Sequence, residues 1–407
     1  MNRAILSLLV FCGLFIGGDL SAQQLSEQAK VSLLTIAPTN ELYNQFGHTA
    51  VRISDPVSGI DYCYNYGVYD FDTPNFYAKF VRGRLNYMMS VVPTERELVP
   101  YRRYGRGVIE QEMNLSAAEV QKVYTYLKEN YRPENRYYLY DFFFDNCATR
   151  IRDLFEDALD TRFDYPPGMI PNYKTYRHLL DEKIGANPWH DFGIDFILGS
   201  PADYFADFRG EMFLPDYLAS NLSLVKHKGE KLLGPPKVLV ENEIIIGNET
   251  PFTPINIGIA LFLLCLVISI WGSAIAKKRL DSILFFLLAF CGFFLVFMRF
   301  GTDHFVTWKN YNMLWANPLY LFAFLRLFKP GKWMDAFLWI LLVLVGINLL
   351  LFNDFVQDFH PAILPFLGMA ILRLTDNLKL WPGRSSSNKP VNTAATSSAV
   401  GLNEEEE

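Results

Sequence analysis

Past residue 250 the chain changes character. Before that point apolar and polar residues mix at short range; after it, long uncharged stretches alternate with short cationic ones. Ile255 to Ala276 holds 22 residues without a charge, about 33 Å of helix, enough to cross a hydrocarbon core. Ser282 to Met298, Tyr311 to Phe328 (interrupted by Arg326) and Ala336 to Asn353 repeat the pattern. A fifth run, Pro361 to Leu374, is shorter, contains Pro365 and carries Arg373. It is expected either to span with Arg373 reaching for the interface or to lie on the surface. Lys277, Lys278 and Arg279 follow the first run, Arg326, Lys329 and Lys332 the third, and Arg373, Lys379 and Arg384 the fifth. By the positive-inside rule these clusters are cytoplasmic, so residues 299 to 310, residues 354 to 360 and the N-terminal part face outward.

The N-terminus agrees. Arg3 precedes an uncharged run from Ala4 to Gly18, and Ser21-Ala22-Gln23 supplies small residues for cleavage, the pattern of a secretory signal peptide. Bulky Leu20 leaves an uncleaved signal anchor open. Cys12 lies inside the apolar run, out of place for a lipidated N-terminus. The end from Ser385 to Glu407 is rich in Ser, Thr, Ala and Asn and closes on four Glu, as a disordered cytoplasmic tail does. Residues 1–22 are thus expected to be the signal, 23–250 an exported domain, 251–380 a transmembrane bundle of about five spans, and 381–407 the tail.

Inside the exported domain the short-range pattern predicts an α+β fold. Thr49 to Ile53 and Asp61 to Val68 read as strands joined through Asp55-Pro56 and Ser58-Gly59, and Val108 to Asn114 as a third. Ser116 to Glu119 is a capping box, followed by a helix with Val120, Val123, Tyr124 and Leu127 on one face. Another helix has Ile151, Leu154, Phe155, Ala158 and Leu159 as its face and Asp145 or Asn146 as its cap.

Composition narrows the function. Thirty-seven Lys and Arg against 43 Asp and Glu give a net charge of −6, which excludes a basic surface for nucleic acid. The chemistry concentrates in Asp145-Asn146-Cys147-Ala148-Thr149-Arg150. A cysteine in the first turn of a helix meets free amides and the positive end of the helix dipole, which favour the thiolate and can hold the oxyanion of a tetrahedral intermediate. Of the six histidines, His48 has the best context for a base, following Gln45-Phe46-Gly47 at the head of a strand. A thiol at a helix start facing a histidine at a strand start is the arrangement of papain-type enzymes. Cys63 and Cys147, both exported, are also open to a disulfide, although Cys63 between Tyr62 and Tyr64 reads as a small buried hydrophobe. His178, His190 and His227 read as structural or solvated. No Cys/His set has metal-ligand spacing, so neither a metal site nor a cofactor is expected.

Gly47-His48-Thr49-Ala50, Asn65-Tyr66-Gly67, Phe76 to Tyr87 with Arg82-Gly83, Asp145 to Arg150, Asn187-Pro188-Trp189, Phe192 to Asp195, Phe213-Leu214-Pro215 and Asn312 to Pro318 together resemble the Lnb-type lipoprotein N-acyltransferases of Bacteroidetes. The order of His before Cys also resembles the circularly permuted papain-like enzymes of the lecithin:retinol acyltransferase kind. That resemblance implies acyl transfer through a thioester on Cys147, with His48 as base, and leaves the third member open, for which Asn65 or a tyrosine of the second strand is the candidate. It implies a membrane phospholipid as donor and the α-amine of a diacylglyceryl-cysteine lipoprotein as acceptor, at the periplasmic face of the inner membrane. Asn146 and Tyr66 near the thiol, and His304, Asn312, Asn317 and His360 toward the outer face, are candidates for substrate contact; His304, Asn310, Asn312, Asn317 and His360 are equally ordinary interfacial loop residues. Two other readings share parts of the pattern. One is a membrane-anchored cell-wall cysteine peptidase or amidase, and the other a non-catalytic envelope assembly factor.

Overall fold

The computed structural model describes residues 24–70, 72–247 and 250–380. The expected signal peptide and cytoplasmic tail lie outside the described residues. In chain order the N-terminal part contains β1 (Lys30–Ile36), β2 (His48–Asp55), β3 (Ile60–Val68), α1 (Phe76–Val81), β4 (Asn86–Pro93), α2 (Thr94–Arg103), β5 (Val108–Glu112), α3 (Ala117–Asn130), β6 (Tyr137–Leu139) and α4 (Cys147–Leu159). Next come α5 (Tyr176–Ile184), α6 (Pro188–Ile197), α7 (Phe208–Glu211), α8 (Pro215–Leu222), β7 (Lys226–His227), β8 (Glu230–Lys231) and β9 (Lys237–Val240).

Seven strands form one sheet in the order β6-β4-β3-β2-β1-β5-β9, each pair antiparallel. The interior strand β1, between β2 and β5, was not revealed by the short-range pattern. Val31, Leu33, Leu34 and Ile36 are all buried, because both faces of this strand are covered and no polar alternation marks it. Leu33 joins Val51, Ile53 and the apolar stripes of α3 and α4 on one face. Leu34 joins Ala50, Cys63 and Leu98 of α2 on the other. The hairpin β2–β3, the Ser116–Glu119 capping box and the stripe of α4 match the sequence reading.

The C-terminal part is helical. Among the described residues, three helices are long and apolar enough to cross a membrane: α9 (Pro254–Trp271), α10 (Ala274–Gly301) and α12 (Lys332–Leu350). The third hydrophobic run departs from the expected continuous span. It consists of a 3₁₀ turn at Tyr311–Leu314 and, beyond Asn317-Pro318, the seven-residue helix α11 (Tyr320–Arg326). Proline has no amide to continue the ladder, and the broken backbone is satisfied by protein. The Asn317 Oδ1 accepts from the Leu319 amide and Gln357 Oε1 from that of Tyr311. The fifth run forms α13 (Leu364–Asn377). Arg373 does not reach for an interface. It is buried, forked onto Asp281 at 2.6 and 3.0 Å and bonded to Ser269 at 2.7 Å, because a guanidinium facing into the bundle needs a charged partner there.

The two parts are welded at the end of α6. Asn310 and Asn312 donate their amide groups to the carbonyls of Asp195, Phe196 and Ile197, which the helix end leaves without internal partners. The Gly199 amide donates to Val306 O at 2.8 Å. A side chain at Gly199 would put its Cβ 1.9 Å from Trp308 O, so only glycine allows this approach. Beneath lies Arg177, almost wholly buried, bonded to Asp195 at 2.6 Å, Asp203 at 2.7 Å and the carbonyls of Leu198 and Gly199. Arg177→Met would leave two buried carboxylates without their counter-charge. The expected cost is about 3 to 5 kcal/mol, seen as a lower melting temperature of the detergent-solubilised full chain.

Candidate active site

Cys147 opens α4, and the Asn146 side chain fixes where that opening falls. Its Oδ1 accepts the amides of Ala148 at 2.8 Å and Thr149 at 2.9 Å, while its Nδ2 donates to the carbonyls of Phe142 at 2.7 Å and Phe213 at 2.9 Å. The Thr149 hydroxyl accepts the Asn146 amide in return, closing the box. His48 arrives from the sheet as the first residue of β2, and its ring is hydrogen-bonded to the Cys147 sulfur. On its other side, Nε2 lies 3.0 Å from Asn65 Oδ1 of β3. An amide oxygen only accepts, so Nε2 carries a hydrogen and Nδ1 is left for the sulfur. Cys147, His48 and Asn65, 82 residues apart between Asn65 and Cys147, therefore stand in one line.

Burial alone would raise the thiol and lower the imidazole. The charge and hydrogen bond of His48, with the amides of Thr49 and Ala148, overcome burial and hold Cys147 below the ordinary thiol value. His48 is likewise disfavoured by burial, yet the charge and hydrogen bond of Cys147, helped by Asn65, raise it. Both shifts run toward thiolate and imidazolium, the form in which sulfur is nucleophilic. Cys63 is the contrast: burial pushes its thiol up to about 12. Both cysteines are free and belong to clusters on opposite faces of the sheet.

Gly67 leaves a gap beside the sulfur. A Cβ there would sit 3.8 Å from Cys147 Cβ, 3.9 Å from Tyr140 Cε2 and 4.0 Å from the Tyr138 hydroxyl. That hydroxyl is buried and has no hydrogen-bond partner among the described residues. Its ring is held by Arg150, whose guanidinium carbon lies 3.9 Å from the centroid and which pairs with Asp145 at 2.5 Å. Sequence reasoning missed Tyr138 and Tyr140. The only signal was the run Tyr137-Tyr138-Leu139-Tyr140 just ahead of the cysteine. The free amides expected at the helix start are also fewer, because Asn146 takes that of Thr149 and shares that of Ala148 with the sulfur, which leaves that of Cys147 itself.

The remaining predicted contact residues have other places. All four polar bonds of the Asn146 side chain are internal. Tyr66 is buried against Tyr138. Asn312 is buried and bonded to α6, and Asn317 is buried in the bundle. His304 lies against Gly83 and bonds to Val81 O at 3.2 Å. His360 lines a depression with Asp181, Asp191 and Asp195, a depression that includes neither Cys147 nor His48. Carboxylate oxygens of those three aspartates come within 4.8 Å of one another. Asp195 is paired with Arg177, and burial, then Asp195 and Asp191, push Asp181 up to about 8, which favours a proton over a cation as the partner of this cluster.

With this geometry in view, two family models match the chain. The Lnb N-terminal periplasmic domain covers residues 21–182 and the Lnb transmembrane domain residues 246–381. The chain belongs to the Lnb family. Neither the curated proteins nor the solved structures contain a match. The first model takes in His48, Asn65, Tyr138 and Cys147, and the second takes in the apolar helices, so this is a membrane protein with a periplasmic region. The weld at α6 falls between the two.

The ion pair yields a titration with a definite sign. Alkylation of Cys147 by iodoacetamide requires the thiolate, so it should persist below the ordinary thiol range near 8.5 and fade as pH drops through the depressed value. In His48→Ala the chief lowering influence is gone and burial remains, so the alkylation midpoint should move up. An unmoved midpoint would mean that His48 does not set the thiolate.

Proposed function

We propose that this chain is a lipoprotein N-acyltransferase, acting at the periplasmic face of the inner membrane on a phospholipid donor and a diacylated lipoprotein acceptor. The observation that carries the reading is the Asn65–His48–Cys147 line, built at a helix start in a domain welded to membrane-crossing helices. Donor and acceptor are both lipid-anchored, which accounts for a bundle where a hydrolase needs only one anchoring span.

The Cys147 thiolate attacks an ester carbonyl of the phospholipid, and the carbonyl π electrons move onto oxygen. The Cys147 amide and the Tyr138 hydroxyl donate to that oxyanion from the gap at Gly67. The tyrosine keeps its proton, since burial, with the nearby thiolate, raises its pKa. As the tetrahedral intermediate collapses, the carbon–oxygen bond breaks and His48 gives its proton to the departing lysophospholipid. The lipoprotein amine then attacks the thioester, His48 takes the amine's proton, and an amide forms as the thiolate is restored. Asn65 keeps the imidazole oriented throughout. Acyl transfer of this kind needs no cofactor.

Full-length protein in vesicles with labelled phospholipid, lacking acceptor, should build a hydroxylamine-sensitive adduct on Cys147. Cys147→Ser should lower transfer to a lipoprotein amine by orders of magnitude, since a helix dipole and one imidazole do not bring a hydroxyl to neutrality. Retention of the normal rate by the serine variant rules out the thioester, and release of peptide fragments from cell wall without acyl labelling would favour the amidase. Tyr138→Phe should slow adduct formation by about a hundred- to a thousandfold. Alkylation of Cys147, which passes through no oxyanion, should keep its rate, and a parallel loss of both would reduce Tyr138 to a packing role.

A further inference from the structure

The six-residue helix α1 is not explained by packing within the protein. None of its residues is buried and its N-cap Asn75 makes no side-chain cap bond, yet Phe76, Tyr77, Phe80 and Val81 are large and apolar. Tyr77 is 78% exposed, Phe80 53% and Val81 46%. Positions i and i+4 share a helix face, so Tyr77 and Val81 form one patch with Phe80 beside it. Such a patch marks a surface that something apolar covers.

Its place in the fold says what. Asp303 and His304 lie two and three residues beyond Gly301, the last residue of α10, a helix able to cross a bilayer. Arg84, just beyond α1, forks onto Asp303 at 2.5 and 3.0 Å. The Asp303 amide donates to Arg82 O at 2.9 Å, and the His304 ring donates to Val81 O. Phe300, at the end of α10, is 77% exposed. The patch is thus continuous with the point where a spanning helix leaves the hydrocarbon. Lys79 and Arg82 flank it with the cations that anionic headgroups attract.

From this patch a row of rings runs inward. Phe80 stacks on Phe76 with centroids 6.3 Å apart, Phe76 meets Tyr69 at 5.7 Å, Tyr69 meets Tyr87 at 5.3 Å, and Tyr87 stacks on Tyr140 at 4.5 Å. Tyr140 borders the gap at Gly67 together with Cys147. Tyr69, Phe76, Tyr87 and Tyr140 are each partly exposed, and Tyr87 and Tyr140 also pack against the core, so the row is a half-buried strip that leads from the surface to the core's edge.

We infer that α1 lies in the headgroup region of the periplasmic leaflet, and that Phe76, Tyr69, Tyr87 and Tyr140 form the track on which a phospholipid acyl chain reaches Cys147. This rests on the thioester reading. An acyl chain drawn toward the sulfur would otherwise expose its methylenes to water, and the rings cover them along the way.

The test uses the full chain in phosphatidylethanolamine–phosphatidylglycerol vesicles carrying labelled acyl chains, with p-nitrophenyl acetate as a donor that needs no membrane. In Tyr77→Asp/Phe80→Asp, adduct formation from the vesicles should fall by about ten- to a hundredfold, while acetylation of Cys147 by p-nitrophenyl acetate keeps the wild-type rate. Tyr77→Phe/Phe80→Leu should restore the vesicle reaction. The inference is overturned if the vesicle reaction survives the aspartates, whether or not transfer to the lipoprotein amine is lost; loss at that later step would make the patch an acceptor site. It is equally overturned if both donors fail together, which would mean a damaged fold. If the wild-type protein accepts acetyl but never a labelled acyl chain, the phospholipid reading itself fails and the track falls with it.

Discussion

Much of the proposed chemistry depends on one amide side chain. Asn146 joins two helix-start amides to the carbonyls of Phe142 and Phe213, so the first turn of α4, the loop before it and the segment leading into α8 share one anchor. Because the group is buried, each of its four bonds would be costly to leave unmade. It therefore permits one position for Cys147 relative to His48. A cysteine free to shift by an ångström would lose the hydrogen bond that keeps it ionised, and burial would then return it to an inert thiol.

The same economy of polar groups joins the sheet to the bundle. Asn310, Asn312, Gln357 and Arg177 converge on the end of α6, where helix carbonyls are free. Polar side chains on the membrane side here complete the hydrogen bonding of the other part, and the orientation of the thiol domain over the bilayer follows from them. The hydrophobic effect supplies contact at this seam, through Phe192 and Phe196. Direction comes from the hydrogen bonds.

What could be read from sequence divides along physical lines. Cys147 and His48 were legible because helix starts and strand starts carry local signals, namely a capping residue and a change of period. Asn65 stood only as one candidate beside a tyrosine of the same strand, since its role depends on β3 lying beside β2. Interior β1 escaped because burial on both faces erases alternation, and Tyr138 escaped because an aromatic on a three-residue strand looks like ordinary core. The third apolar run was misread as a continuous span. Hydropathy registers its oil but not Pro318, nor the side chains that satisfy the broken backbone. Arg373 was placed at an interface because its partner, Asp281, is 92 positions away in sequence.

The weld at α6 also decides where the molecule divides. By composition the boundary is the linker near residue 250, but Phe192 packs on His360 and Phe366, and Phe196 on Trp315. Helix α6 is thus a piece of the bundle's outer surface encoded within the thiol half. A chimera of two relatives joined at the linker would pair each bundle with a foreign α6. The exchangeable unit runs from α6 onward only if β7 to β9 are left behind, which a single crossover cannot do. Inheritance of the two halves is therefore tied, and drift in one has to be answered in the other.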